Sequence, residues 1–128
     1  MNKSESAIEI KAPAAPSPSD DHAGLGTRYM RGEIDRNSAI LELAASFPTL
    51  KWQLMGMNSK NWDINRFMSN LGVLCSGERH AKLFVASVWD SEWPADHGME
   101  FRVVDAISVW DVAHRASFLQ WCHDPFWP

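Results

Sequence analysis

The chain has 128 residues and a formal charge of −4, with 12 Lys+Arg against 16 Asp+Glu. That length suits one domain, and the acidic balance argues against a generic nucleic-acid binder, which carries a positive excess. Leu, Ile, Val and Phe make up only about 22% of the chain, close to the roughly 20% below which chains stay disordered. The seven Trp supply the buried area that a core still needs.

Residues 1–27 read as a tail. The stretch Ala12-Pro13-Ala14-Ala15-Pro16-Ser17-Pro18-Ser19 has three prolines and no large apolar side chain, so it cannot offset its ordering entropy by burial. No apolar run at the N-terminus resembles a signal peptide. No stretch elsewhere reaches the ~18 apolar residues of a membrane span.

Residues 28–128 carry helical periodicity and are expected to form a single all-α domain, a small bundle of about five short helices. Ile40, Leu43, Ala44 and Phe47 fall at i, i+3, i+4 and i+7, the stripe of one helix face. Asp35 or Asn37 is its N-cap candidate, and Pro48 disfavours helical geometry at Phe47. Ile64, Phe67, Met68 and Leu71 repeat the spacing and stop at Gly72, a candidate left-handed C-cap. Ala81, Phe84, Val85 and Val88 form the third stripe, with Trp89 beside it. Ser76 is positioned to cap it, and Glu78 in its first turn suits the positive end of the helix dipole.

A fourth helix is expected over about 102–109, with Val103, Val104 and Ile107 on one side. A fifth, capped by Asp111, runs to about Cys122, with Val112, Leu119 and Cys122 as core candidates. Residues 49–57 fit two periods. Leu50, Trp52 and Leu54 alternate like a strand, while Leu50, Leu54 and Met57 fit a helix; helix is preferred, because a lone strand has no hydrogen-bonding partner. Residues 91–100, with Pro94 and Gly98, read as a loop. The terminal Phe126 and Trp127 are expected to fold back and seal one end of the bundle.

The chemistry-bearing residues form no recognised motif. Cys75, His80, His114 and Cys122 are zinc-ligand types at a spacing without CxxC or HExxH. A zinc-binding or thiol-dependent protein is therefore the alternative reading, and no cofactor is the first one. Two cysteines are too few for a disulfide framework, so free thiols in a cytoplasmic setting are expected. A general base needs its proton donor within hydrogen-bond reach, and the sequence identifies no nucleophile beside His80 or His114. Gly24-Leu25-Gly26 precedes no strand–helix unit that would make it a phosphate loop.

The charge map is more informative. Residues 90–111 hold six acids against Arg102 alone, net −5, whereas residues 28–89 are net +3. The acidic block contains Trp93 and Trp110 and follows Trp89 directly. Large rings supply desolvated anchors and carboxylates steer encounter, so this pattern suits docking of a basic protein partner. The expected partner-binding residues are Trp89, Glu92, Trp93, Asp96, Glu100 and Trp110. Nucleic-acid binding is a third reading. It rests on scattered basic residues before position 90 and on a helix after Asp111 with only His114, Arg115, Ser117 and Gln120 as readers.

Ser76-Gly77-Glu78, the apolar helix ending Val88-Trp89, and Val104-Asp105-Ala106 through Trp110-Asp111 to a Pro/Trp-rich end resemble small uncharacterised helical proteins encoded on bacterial plasmids, integrative elements and phages. The resemblance spans about residues 71–128 and implies a genomic setting, not an activity. It is a setting in which small acidic helical proteins act by binding host or defence proteins. The expected function is thus a non-catalytic protein-binding module, an accessory or inhibitor protein of a mobile element.

Overall fold

The computed structural model describes residues 23–71 and 74–128. Among these residues seven α-helices form and no strand does: α1 (Leu25–Met30), α2 (Arg36–Ala45), α3 (Ile64–Met68), α4 (Ser76–Trp89), α5 (Glu92–Asp96), α6 (Val103–Val109) and α7 (Val112–His123). The protein is a small all-α bundle, and each of the five expected helices has a counterpart in it.

The three strongest stripes are buried as the spacing requires. Ile40, Leu43, Ala44 and Phe47 meet Ala81, Phe84, Val85 and Val88 in one core, and Phe67 and Met68 close it from α3. Asp35 caps α2, its side chain accepting the Ser38 N–H at 2.8 Å. That bond satisfies one of the first-turn donors that lack an intrahelical acceptor. The α4 cap differs from expectation. Cys75, extended at φ −67° and ψ 164°, stands at the N-cap, and Ser76 is the first helical residue.

Aromatic rings fill the interior. Phe84 lies within 5.1–5.8 Å, centroid to centroid, of Phe47, Phe101, Phe118 and Trp121. Edge-on and tilted arrangements dominate these pairs, as ring quadrupoles favour. The stiff rings pack this small bundle where aliphatic side chains are few.

Three local expectations are corrected. The tail does not extend to residue 27: Leu25–Met30 is helical, and its start is tied to the C-terminus by Thr27 N–H donating to Asp124 Oδ2 at 2.8 Å. Gly26 is required there, since a Cβ would run into the carbonyl oxygens of Asp124 and Pro125. Residues 1–22 and the expected cap Gly72 lie outside the described residues. Within 49–57 the chain makes a single turn of 3-10 helix, Lys51–Leu54, burying Leu50 and leaving Trp52 exposed. The expected loop 91–100 contains α5, whose buried residue is Pro94.

The inward faces of α6 and α7 also differ. Val103 and Val104 face solvent, and Ala106 is the buried residue of α6. Val112, Leu119 and Cys122 are exposed on α7, while His114 and Ser117 are buried and Phe118 and Trp121 pack on the core. Those four positions follow the same i, i+3, i+4, i+7 rule, but two carry polar atoms, so hydropathy selects the wrong side. At the C-terminus Phe126 is buried, its ring 5.6 Å from Tyr29. Trp127 instead stays largely exposed, edge-on to Trp121.

Candidate functional site

The expected docking residues divide into three environments. Glu92, Asp96 and Glu100 are exposed on α5 and the segment after it. Trp93, half-buried, sits between them in sequence and stacks on His97 with centroids 3.9 Å apart. His97 is held by a 2.9 Å contact from Nδ1 to the Trp93 carbonyl. Pro94 can neither donate a backbone hydrogen bond nor flex in φ, which suits the first turn of so short a helix.

Trp89 and Trp110 belong elsewhere. The Arg36 guanidinium covers the Trp89 ring at 3.8 Å, and Trp62 meets Trp89 edge-on. Trp110 is only 2% exposed. Its Nε1–H donates to the Gly77 carbonyl at 3.0 Å, and its ring lies against Phe47 and Phe118. Its place in an exposed docking surface is therefore corrected: the ring locks the α6–α7 corner onto the first turn of α4.

Charge on the acidic surface is unevenly compensated. Arg102 contacts Asp105 at 3.0 Å and Glu100 at 3.6 Å. Asp90, Glu92 and Asp96 have no ion-pair partner among the described residues. Further along the chain α6 exposes Val104, at 76%, and Val103. Both α5 and α6 pack against α4. The sequence hid the valines, because apolar residues at helical spacing are ordinarily assigned to the core.

The zinc-ligand candidates are distributed differently. Cys75 is exposed and its thiol donates to Glu78 Oε1 at 3.0 Å. His80 is half-buried on α4, and Cys122 is exposed near the end of α7. Both ring nitrogens of His114 are engaged within the protein: Nδ1 with Asp111 Oδ1 at 2.8 Å and Nε2 with Thr49 Oγ1 at 2.7 Å. Among the described residues no three His, Cys, Asp or Glu side chains gather closely enough to hold a metal ion.

The Asp111–His114–Thr49 chain is the feature that the sequence concealed most fully. Asp111 caps α7 by accepting the His114 backbone N–H at 2.9 Å, as its sequence position suggests. That backbone bond first, and the His114 ring second, hold the Asp111 carboxyl below its usual range. Thr49, 65 positions away in the chain, reaches the far side of the ring only through the fold. A carboxylate at Oδ1 places the imidazole proton on Nδ1. Nε2 is then an acceptor, and the Thr49 hydroxyl donates to it.

A cleft of about 320 Å³ opens on the opposite elements, lined by Arg28, Glu42, Ser46, Gln120 and Asp124 among others. Ser117 and Gln120, two of the expected nucleic-acid readers, border it, and none of the expected docking or zinc-ligand residues does. Among the described residues no helix is long and apolar enough to cross a membrane. Comparison with family models, with curated proteins and with solved structures yields no match.

Proposed function

We propose that this chain is a protein-binding module whose docking surface is α5 together with the exposed side of α6, and whose partner presents a basic, apolar segment. One observation carries the reading: among the described residues the carboxylates of Asp90, Glu92 and Asp96 lack ion pairs, and the helices α5 and α6 that pack on α4 bring a half-buried Trp93 and two exposed valines. Unpaired carboxylates raise the encounter rate with a cationic partner, and the desolvated ring and valines slow its departure. An amphipathic basic helix fits both requirements, its apolar stripe on Val103 and Val104 and its Lys or Arg flank on α5. The resemblance to proteins of bacterial mobile elements suits an accessory or inhibitor role of this kind, exercised in the cytoplasm on a host or defence protein.

The test is calorimetric titration with a synthetic basic amphipathic helix at about 0.01 M and about 0.15 M salt, where Debye lengths are about 30 and 8 Å. Reversing Glu92, Asp96 and Glu100 together to Lys is expected to weaken binding at least tenfold at the lower salt, and less at the higher. Val104→Ser is expected to weaken it at both. An unchanged Kd for the charge-reversed protein rules the reading out.

A further inference from the structure

We propose that Thr49, His114 and Asp111 form an acyl-transfer site in which the Thr49 hydroxyl is the nucleophile, acting on small uncharged esters. Three features of the geometry lead there. The hydroxyl–imidazole–carboxylate order is the one that nucleophilic catalysis by a hydroxyl needs, with both contacts in hydrogen-bond range at 2.7 and 2.8 Å. The imidazole is fixed rather than free, only 4% exposed and held beside Phe47 and Trp110 with centroids 5.9 and 6.5 Å away. A helix cap alone requires Asp111 and the His114 backbone; it does not require a hydroxyl delivered to the other ring nitrogen from a distant segment.

The surroundings indicate the substrate class. Thr49 is half-buried on the connection that also carries Trp52, 76% exposed, and Met55, 71% exposed. Large exposed apolar side chains three and six positions along the chain from the nucleophile favour an uncharged acyl or aryl group over an ionic one. In the first step the Thr49 Oγ1–H proton passes to His114 Nε2 as Oγ1 bonds to the ester carbonyl carbon. The tetrahedral adduct then collapses, the bond to the alkoxy or aryloxy group breaks, and the leaving oxygen takes the proton from Nε2. Water repeats the sequence, giving its proton to Nε2, releasing the carboxylic acid and restoring the Thr49 hydroxyl. Asp111 keeps the imidazolium in register and stabilises its charge throughout; it is a positioning residue.

The probe is p-nitrophenyl acetate on the full chain, with the acetylated side chain located by peptide mass spectrometry and p-nitrophenolate release followed against pH. Thr49 is expected to acetylate at least tenfold faster than the Thr27 hydroxyl. Asp111→Asn retains a good helix cap but admits the wrong tautomer, and is expected to slow Thr49 acetylation at least tenfold. Thr49→Ser is expected to keep the reaction and Thr49→Val to abolish it, with folding checked by circular dichroism. Acetylation of Thr49 no faster than of Thr27, or a rate indifferent to Asp111→Asn, overturns the proposal even if Thr49→Val fails to fold.

Discussion

The core around Phe84 and the acidic segment from Asp90 to Asp105 are built on opposite principles. In the first, Phe47, Phe118 and Trp121 each pack their rings against Phe84. Ser117 Oγ there donates to the Ser46 carbonyl at 2.5 Å. On the second, Asp90, Glu92 and Asp96 have no ion-pair partner among the described residues, and Val103 and Val104 face solvent. The short helices α5 and α6 are too small to bury two faces of their own. Buried rings concentrate in the first, and the proposed docking surface lies on the second.

The sharpest way to break that contrast is Phe84→Ala. Removing the ring at the centre of the aromatic cluster should cost about 3–5 kcal/mol, read from urea denaturation. A loss near 1 kcal/mol would mean that the cluster is not where stability resides.

Lys82 gives the next largest effect. It is 2% exposed, and its Nζ donates to the Phe67 carbonyl and to Asn70 Oδ1. Burial pushes this ammonium down to about 8 from 10.5, partly offset by Glu78. A folded-state value below the unfolded one means that the unfolded chain binds more protons between those two pH values. Stability should therefore rise as pH climbs from about 8 to about 10.5, by at most about 3 kcal/mol. Lys82→Met should abolish that slope while leaving neutral-pH stability similar or higher. Denaturation profiles across the window check both statements.

Gly26→Ala tests whether the segment joined to the C-terminus contributes to the fold. The added Cβ meets main-chain oxygens that cannot swing aside, so a loss of about 1–3 kcal/mol is expected, with parallel loss of Phe126 burial by fluorescence or hydrogen exchange. The smallest effect on folding belongs to the acidic segment. Each of Glu92→Lys, Asp96→Lys and Glu100→Lys should move stability by no more than about 0.5 kcal/mol. Larger losses would show that these carboxylates help to hold the bundle together.

Much of the core was legible because burial there is continuous along each helix. The stripe Ile40, Leu43, Ala44, Phe47 and its partner Ala81, Phe84, Val85, Val88 were readable from spacing, and so was the Asp35 cap. Short helices were harder. In the seven residues of α6 a hydropathy stripe has too few members to fix its phase: Val103, Val104 and Ile107 share a side by spacing, yet Val104 faces solvent while Ile107 packs on the core. On α7 the inward residues His114 and Ser117 bear polar atoms whose partners, Thr49 and the Ser46 carbonyl, belong to distant segments. A side chain's hydrophobicity says nothing of a partner supplied from elsewhere in the chain. For the acidic surface, the excess of carboxylates was visible in the chain, but which ring accompanies them was not. Trp93 stays beside them while Trp110 is drawn inward by the Gly77 carbonyl.

The sequence by itself determined the helical class, the order of the main helices and the location of the negative charge, because each follows from neighbours within a few positions. The tertiary structure alone decided which tryptophans reach solvent, which valines stay bare, and that a threonine and a histidine 65 positions apart share a hydrogen bond. Those outcomes depend on how helices rotate to satisfy one common interior, a condition that no single segment contains.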